Sequence, residues 1–355
     1  MDKINKLFNL LHSSPELSMN EDKTNQIIFN FLKTNTSLNV YKKEGFVYAV
    51  HFEDNNYENV AFRADIDAIK DENGKPFHGC GHDGHTTTLC RLAFLLDNKK
   101  LSKNIYFFFQ PGEETGEGAI LVNRYLQELN ISRIYGFHNI PGYKSGLVLL
   151  KPGTFACASK GITINFEGKQ SHAAYPESGN NPAFAIADVI NNFGTLLNKS
   201  LYKGLVLATI VNVSVGEKNA FGVNAGNGEL SVTIRAEYEN ELNKIQNNLL
   251  DLSSNICEKY GIKMTYNCFD EFPETYNDIH EYNRIKSILL KNQIDYTELE
   301  SPMRWSEDFG HYLKNTNGIY IGIGSGIDHP DLHTKDFAYN TNIINYSAKV
   351  LSLFI

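Results

Sequence analysis

Cysteine, tryptophan and proline are scarce in this chain of 355 residues, which contains five, one and ten of them. The five cysteines are scattered and form no C-x-x-C pair, which argues against a disulfide framework and predicts reduced thiols. No run of apolar residues reaches the length of a membrane span. Basic residues do not cluster among aromatics and the net charge is -8, so nucleic acid is not expected as a partner.

The amino-terminal sequence also lacks the signals that direct a protein out of the cytoplasm. The first eleven residues mix charge with helical spacing, without the apolar block or small-residue cleavage site of a signal peptide. We therefore expect a cytoplasmic protein that does not bind membranes. With 42% hydrophobic residues the chain can bury a sizeable core, and its length favours two domains.

Three imidazoles, a thiol and a carboxylate stand together in residues 78–85, His-Gly-Cys-Gly-His-Asp-Gly-His. Thiolate and imidazole suit a divalent ion such as zinc, and Asp83 could orient a ligating ring without binding the metal. A polar turn with one buried cysteine is the alternative. The apolar residues that follow, from Thr86 to Leu96, predict a buried helix that begins where this loop ends.

Other reactive side chains stand at the carboxyl ends of predicted strands that alternate with helices. The strands are predicted at residues 60–67, 104–110 and 133–137, and the side chains at their ends are Asp65, Asp67, Glu113, Glu114 and His138. Ligands of open α/β sheets bind at that edge, so a common site is predicted. Taken singly, the aspartates could be a solvated strand end and the glutamates solvated surface charge.

The pattern of elements changes near residue 158. Strands are predicted at 161–166, 205–215, 229–239 and 262–269, with helices at 181–197 and 241–260. The order β-α-β-β-α-β is that of a ferredoxin-like fold. We therefore predict an α/β protein with a mostly parallel central sheet flanked by helices, formed by residues 1–158 and 271–355, with an inserted ferredoxin-like α+β domain at 159–270.

A metal site needs ligands beyond Cys80 and His82. The further candidates are one glutamate of the Glu113-Glu114 pair, His138 and a late histidine, His329 or His333. Five ligands exceed the need of one catalytic ion, whereas two ions about 3.5 to 4 Å apart would use them all. Adjacent glutamates on extended chain point in different directions, so one can bind metal while the other acts as a base.

The chain resembles the aminoacylase and carboxypeptidase-type family of metal-dependent amidohydrolases. Within it, the branch of hippurate hydrolase, auxin-conjugate hydrolases and N-acetyldiaminopimelate deacetylase is the most similar. The motifs that carry the resemblance are His12-Ser13-Ser14-Pro15-Glu16-Leu17 with Glu21 and Thr24, Arg63-Ala64-Asp65-Ile66-Asp67-Ala68, His78 to Thr86, Gln110-Pro111-Gly112-Glu113-Glu114, His138, Ser171-His172-Ala173-Ala174 with Pro176, Ser306-Glu307-Asp308-Phe309 and Leu332-His333.

The resemblance implies a ligand set for two divalent ions, zinc, manganese, cobalt or nickel. The implied ligands are Cys80, His82, Glu114, His138 and His333, and the residues implied to orient them without binding metal are Asp65, Asp67 and Asp83. His333 is preferred to His329 because it stands just before the closing helix. Glu113 would take a proton from a metal-bound water and pass it to the leaving amine.

The resemblance also implies two contacts from the inserted domain to the substrate. His172 would stabilise a developing oxyanion, often in the partner subunit of a homodimer formed through this domain. A hydrogen-bonded turn residue is the alternative. Arg235 could bind a substrate carboxylate through two hydrogen bonds, with a structural salt bridge as the alternative.

One departure from the branch concerns the substrate. The usual Asn-x-Ile-Pro is here Gly222-Val223-Asn224-Ala225, so the usual asparagine contact is absent or displaced. We expect an enzyme that hydrolyses the amide bond of a small N-acyl amino acid. A dipeptidase or carboxypeptidase would share the metal residues. A catalytically silent, metal-stabilised binding protein is the third possibility, although it would not need the base Glu113.

Overall fold

The structure, a computed structural model, describes residues 3–355, so the first two residues of the expected catalytic domain lie outside the described residues. The described chain divides into two compact units. The larger unit comprises the chain up to Phe155, Thr275–Pro302 and Glu307–Ile355, and the inserted unit comprises Ala156–Glu274 and Met303–Ser306. The inserted unit thus extends a few residues beyond the expected 159–270 and includes a late four-residue segment.

The strands of residues 3–355 range from two to eleven residues. They are β1 Asn39–Lys42, β2 Val47–His51, β3 Asn59–Asp65, β4 Ile69–Lys70, β5 Pro76–Phe77, β6 Asn104–Gln110, β7 Ile131–Pro141, β8 Val148–Leu150, β9 Gly153–Ala156, β10 Ala158–Glu167, β11 Ser171–His172, β12 Val206–Val215, β13 Val223–Asn224, β14 Asn227–Ala236, β15 Lys263–Phe272, β16 Thr275–Asn277, β17 Tyr296–Glu298 and β18 Asn317–Gly326.

The α-helices include two near the amino terminus. They are α1 Lys3–His12, α2 Asp22–Asn35, α3 His82–Leu96, α4 Gly118–Glu128, α5 Pro182–Asn192, α6 Glu239–Tyr260, α7 Ile279–Lys291, α8 Gly310–Leu313 and α9 Ile344–Ser352. A short 3-10 helix follows α5, within the predicted helix 181–197, and another precedes α9. None of the helices in residues 3–355 combines the length and the apolar composition needed to cross a membrane.

An eight-stranded sheet with the order β1-β2-β6-β3-β7-β18-β8-β17 runs through the larger unit. The four central strands β6, β3, β7 and β18 are parallel, and β17 is parallel to β8. Every residue of β6 is buried, as expected for a strand covered on both faces. Buried side chains of α1, α3 and α9 join the same core, including Leu7, Leu92 and Val350. The predicted fold class is confirmed.

The register of the sheet aligns the chemically active ends of three strands. Asp65 at the end of β3 pairs with Gln110 at the end of β6. Continuing the register of β3 with β7 places His138 level with Asp65. Strand β7 continues past the predicted end at residue 137 because β18 pairs with it as far as Pro141. His138 therefore lies inside a strand, at the edge where β3 and β6 end.

The inserted unit contains a four-stranded antiparallel sheet with the order β12-β14-β10-β15. Along the chain its elements follow the order β10, α5, β12, β14, α6, β15, which is the predicted β-α-β-β-α-β. Alternate residues of β10, Ile162, Ile164 and Phe166, are buried with Ile245 and Leu249 of α6. This alternation in the sequence places one face of β10 in the core of the unit.

Candidate metal centre

Three buried side chains of the larger unit meet at the carboxyl edge of its sheet. Cys80 precedes α3, His82 begins it, and His138 comes from β7. Their ligand atoms lie within 4.8 Å of one another, and Cys80 Sγ is 3.3 Å from His138 Nε2. The carbonyl of Asn139 lies 2.8 Å from His138 Nδ1, which turns the other ring nitrogen towards the thiol. One divalent ion fits this set of donors.

Helix α3 begins four residues earlier than predicted, at His82 instead of Thr86. The residue before it, Gly81, has a φ of 93°, in the left-handed region that glycine adopts without strain. A Cβ atom on Gly81 would lie 2.7 Å from Asn139 Oδ1. A glycine at this position thus allows a sharp entry, and it places His82 and Asp83 in the first helical turn instead of a loop.

Glu113 and Glu114, which follow β6, and the late His333 lie beside this group of donors. Glu114 Oε1 is 3.8 Å from His82 Nε2 and 3.5 Å from His333 Nε2, and Glu113 Oε2 is 3.9 Å from His82 Nε2. Cys80, Glu114 and His333 form a second group of donors within 4.8 Å, and His82 forms a third with the two glutamates. The first and second groups share Cys80.

Two buried atoms of this cluster have no hydrogen-bond partner among the described residues, Nε2 of His82 and Oε1 of Glu114. The other nitrogen of His82 lies 2.8 Å from Asp67 Oδ1, which fixes the ring. A buried polar atom without a partner costs about 1–3 kcal/mol, a penalty that a bond to a metal ion removes. The donors and their unsatisfied atoms therefore fit a divalent cation.

The electrostatics of the cluster also favour a cation. Burial raises the pKa of the Cys80 thiol, and the Glu114 and Glu113 carboxylates raise it further. Burial lowers the pKa of His82, but Asp65 and its neighbouring carboxylates outweigh this and raise it to about 10. The carboxylates contribute to both shifts, because negative charge in a buried place disfavours a thiolate and favours an imidazolium. A bound cation would compensate that charge.

Asp65 and Asp67 support the cluster from the end of β3. Asp67 Oδ2 accepts a hydrogen bond of 3.0 Å from the backbone N–H of Glu114, in addition to its contact with His82. Asp65 Oδ1 lies 2.7 Å from His85 Nδ1. Both aspartates are buried, which excludes the alternative of a solvated strand end.

Asp83 binds residues other than the predicted ligands. Its Oδ2 lies 2.6 Å from His12 Nδ1, and its Oδ1 accepts from the backbone N–H of Gly84. Asp83 lies in the first turn of α3, and its contact with His12 shows that its carboxylate faces the end of α1. The expected role of orienting a ligating ring is filled by Asp67.

Sequence reasoning assigned no role to Arg63, Glu307 and Asp308, which lie beside the cluster. The Arg63 guanidinium is fully buried, with Nη2 2.7 Å from Asp308 Oδ1 and 3.0 Å from Glu307 Oε1. Donor atoms of Glu113, Glu307 and Asp308 lie within 4.8 Å of one another. The signal in the sequence was Arg63 itself, because a guanidinium inside an apolar strand needs buried acids as partners.

The two remaining predicted site residues belong to the inserted unit. His172 is exposed at the end of β11, and its Nδ1 accepts from the backbone N–H of Ala174 at 3.0 Å. Arg235 of β14 donates through Nη1 to Ser306 Oγ at 2.9 Å. Among residues 3–355 no carboxylate forms an ion pair with Arg235, so the structural salt bridge considered as an alternative is not found.

The residues that depart from the branch pattern include the two-residue strand β13. Asn224 Oδ1 accepts from Asn181 Nδ2 at 2.8 Å, and Asn224 Nδ2 donates to Ser171 Oγ at 3.0 Å. This asparagine therefore ties β13 to neighbouring parts of the inserted unit.

Comparison with known proteins gives a consistent family and fold. The model of peptidase family M20/M25/M40 matches residues 61–355. An uncharacterised hydrolase of Staphylococcus saprophyticus is 27% identical over 358 residues, covering 94% of this chain and 91% of that protein. An N-acetyldiaminopimelate deacetylase of Exiguobacterium sibiricum is 27% identical over 350 residues, covering 92% of this chain and 93% of that one.

A solved structure shares the architecture at lower sequence identity. The YXEP protein of Bacillus subtilis, described as a dinuclear metal binding peptidase from the M20 family, superposes with a TM-score of 0.83 at 22% identity. The superposition covers 99% of this chain and 96% of that one. At this identity the likeness shows a common fold. The family match spans most of the chain, including every residue of the candidate metal centre, and this chain therefore belongs to peptidase family M20/M25/M40, whose members hydrolyse amide bonds.

Proposed function

We propose that this chain is a metal-dependent amidohydrolase that removes the acyl group from N-acyl amino acids. The observation that carries the proposal is the meeting of metal donors with a buried acid. Cys80, His82 and His138 form a donor set, and Glu113, which is 6% exposed, lies next to it. A buried carboxylate beside a metal site is the arrangement that a hydrolase needs for moving protons.

Two divalent ions would be held by five residues, Cys80, His82, Glu114, His138 and His333. Cys80 belongs to two of the donor groups, so its thiolate would be available to an ion held by either group. When bound, zinc, manganese, cobalt or nickel supplies Lewis acidity that polarises the amide carbonyl and makes water more acidic. His333, whose side chain is half exposed, is the third member of the donor group that contains Cys80 and Glu114.

Glu113 would carry the proton of the reaction. Burial raises its pKa well above the ordinary value, and the neighbouring Glu307 and Glu114 carboxylates add to this. In this proposal its carboxylate takes a proton from the attacking water and delivers it to the nitrogen as the amide C–N bond breaks. Glu114, whose backbone N–H is fixed by Asp67, is left to bind metal.

Two separate features of the chain support substrate recognition. A cavity of about 430 Å³ in the larger unit is lined by His333 together with Lys70, Phe77 and Lys335, which provides space beside a proposed ligand. We propose that Arg235 binds the substrate carboxylate, because no acid of the described chain pairs with it. The protein would act as a homodimer through the inserted unit.

His172 would stabilise the oxyanion that forms from the carbonyl. Its Nδ1 is occupied by the N–H of Ala174, whereas no described residue hydrogen-bonds its Nε2. We expect His172→Ala to lower kcat by about 10²-fold, since loss of one oxyanion donor has this order of effect. Metal content should not change. Normal turnover would return His172 to the role of a turn residue.

A dipeptidase or carboxypeptidase activity is the second candidate. The family is named for peptidases, and the metal residues would be the same for either substrate. The two differ in the group attached to the scissile carbonyl, which is a small acyl group in one case and an aminoacyl residue in the other.

A substrate panel decides between these activities. Purified protein would be assayed on N-acetyl amino acids and dipeptides, after chelator treatment and after return of each of the four metals, with metal content measured. We expect hydrolysis of N-acyl amino acids that disappears with chelator and returns with metal. Preference for dipeptides would favour the peptidase. Failure on the whole panel with metal bound would favour a silent binding protein.

A further inference from the structure

The motif around Glu21 has no part in the chemistry above, yet it reaches the loop that carries Glu113. Glu21 is 3% exposed, and its Oε1 accepts the backbone N–H of Gly112 at 2.8 Å. The same oxygen accepts the N–H of Met19 at 3.0 Å. One buried carboxylate therefore joins the amino-terminal segment to the residue that directly precedes Glu113.

Both N–H donors belong to residues in the left-handed region, with φ of 62° for Met19 and 58° for Gly112. A Cβ atom on Gly112 would lie 2.6 Å from Met19 Sδ, so the two chain segments are in close contact. For Met19 this conformation is strained and needs support from its surroundings. The Glu21 carboxylate provides that support by binding both donors.

The segment that contains Glu21 also contacts the aspartate that binds the backbone on the other side of Glu113. Ser18 Oγ donates to Asp67 Oδ2 at 2.8 Å, and that oxygen accepts the N–H of Glu114. The N–H of Ala68 donates to the carbonyl of Glu16 at 2.8 Å. Glu113 thus lies between two neighbours, Gly112 and Glu114, whose backbone N–H groups are both bound by buried carboxylates.

A carboxylate in this position carries a free-energy cost. Burial raises the pKa of Glu21 to about 7, and the nearby negative charge of Asp67 contributes. Replacing Glu21 by an apolar residue would remove this cost but would leave two backbone donors without their acceptor. A buried carboxylate at position 21 is explained if the chain geometry fixed by its hydrogen bonds to Met19 and Gly112 is needed.

We propose that Glu21 is a positioning residue, which holds the loop of residues 111–117 so that the Glu113 carboxylate faces the reacting atoms. This inference rests on the proposed function, because it assigns the purpose of the loop to proton transfer by Glu113. Glu21 does not itself touch the substrate. A misplacement of about 1 Å can lower a rate by about 10²-fold, so a modest shift of the loop would suffice.

The test compares three substitutions of Glu21 with a matched control. Glu21→Ala removes the acceptor, Glu21→Asp keeps the charge but shortens the side chain, and Glu21→Gln keeps an acceptor oxygen at full length. The control is Glu16→Ala, because Glu16 binds the N–H of Thr24 at the start of α2 and has no contact with Gly112. Hydrogen exchange at Gly112 in chelator-treated protein, thermal stability, kcat and KM would be measured.

We expect amide exchange at Gly112 to accelerate at least about 10-fold in Glu21→Ala and Glu21→Asp, with kcat lowered about 10–100-fold and KM within about 3-fold. Glu21→Gln should retain protection and most of kcat. Glu16→Ala should lose stability while keeping both the amide protection at Gly112 and the kcat of the wild type. Unchanged exchange in Glu21→Asp, or equal losses of kcat in Glu16→Ala, would overturn the inference. If the wild type hydrolysed no substrate, the proposed function would fail while the exchange result still tested the contact.

Discussion

Single residues of the candidate site show an imbalance of buried charge. Asp65, Glu307 and Asp308 share one guanidinium, Arg63, and all four side chains are buried. Glu113 adds a further buried carboxyl group within reach of two of these acids. Buried charges are stable only when they are paired, protonated or bound to metal. These acids outnumber the one guanidinium, so protonation or a nearby cation is needed to balance the rest.

The role of Glu113 can be tested by removing its charge at constant shape. We expect Glu113→Gln to keep its bound metal and to lose about 10²-fold or more in kcat, because an amide cannot accept and deliver the proton. Elemental analysis and steady-state kinetics measure the two effects. The control is Glu117→Gln, four residues on, where the exposed side chain accepts from Thr115 Oγ1. Equal turnover in wild type and Glu113→Gln would remove this residue from the mechanism.

The raised pKa of Glu21 predicts a pH-dependent stability. The folded protein binds this proton with a pKa of about 7, against an ordinary value of 4.5 in the unfolded chain. Between these pH values the folded state holds more protons, so the contribution of Glu21 to stability falls as pH rises. At about 1.4 kcal/mol per pKa unit, the rise from 4.5 to about 7 makes this loss at most about 3.5 kcal/mol above pH 7.

Urea unfolding of wild type and Glu21→Gln, both in chelator, measures this contribution. We expect the variant to gain stability relative to wild type between pH 4.5 and pH 8, because glutamine keeps an acceptor without a charge. Glu117→Gln removes an exposed charge and serves as the control. A stability difference between wild type and Glu21→Gln that is the same at both pH values would contradict the expectation.

At the scale of elements, the start of α3 determines where two proposed ligands lie. Cys80 and His82 flank Gly81, whose left-handed conformation leads directly into the helix. The space at Gly81 is closed by Asn139 Oδ1 and by the ring of Tyr339, which lies 2.9 Å from the place that a Cβ atom would occupy. The entry to α3 therefore depends on both the backbone conformation and the absence of a side chain.

Gly81→Ala and Gly142→Ala separate these two requirements. Gly142 has a φ of 81° but no atom within 4 Å of a Cβ, so alanine there should cost about 1–2 kcal/mol through its backbone conformation alone. Gly81→Ala should cost about 1–3 kcal/mol more through overpacking, and should weaken metal binding. Urea unfolding in chelator compares the two variants. Equal losses of stability would show that the space at Gly81 is unimportant.

Elements with a clear period or an uninterrupted apolar run could be predicted from the sequence. The central strand β6 and the alternating strand β10 are examples, since burial on two faces or on one face determines their pattern. The start of α3 was wrong because the left-handed conformation of Gly81 is a property of its surroundings. The short strands β8 and β17, of three residues each, were missed because such lengths show no period.

At the scale of the whole molecule, the site could be predicted as far as its residues carry recognisable chemistry. The thiol and imidazoles near Cys80 were recognised as one loop, and the acidic pair and His138 stood at ends of strands, which a parallel sheet brings together. The contacts of Glu21 with Gly112 and of His12 with Asp83 could not be predicted. They join residues 91 and 71 positions apart, and no local pattern marks them.

The division of the chain into two units places the proposed functions in different parts of the sequence. The proposed metal ligands and Glu113 all belong to the larger unit, whereas His172 and Arg235 belong to the inserted one. Substitutions in the inserted unit should therefore alter turnover or substrate preference, and substitutions at the metal centre should alter metal content. The proposed metal centre lies in the larger unit, and Cys80 is the residue through which its ions can be observed.

Titration of chelator-treated protein with cobalt(II) shows whether Cys80 binds metal, because a thiolate bound to cobalt absorbs in the near ultraviolet. We expect wild type to develop this absorption as it binds about two ions, and Cys90→Ala to do the same. Cys90 is a buried cysteine of α3 that belongs to none of the donor groups found in residues 3–355. Cys80→Ala should lack the absorption. No absorption in wild type, or equal absorption in Cys80→Ala, would contradict the proposed metal centre.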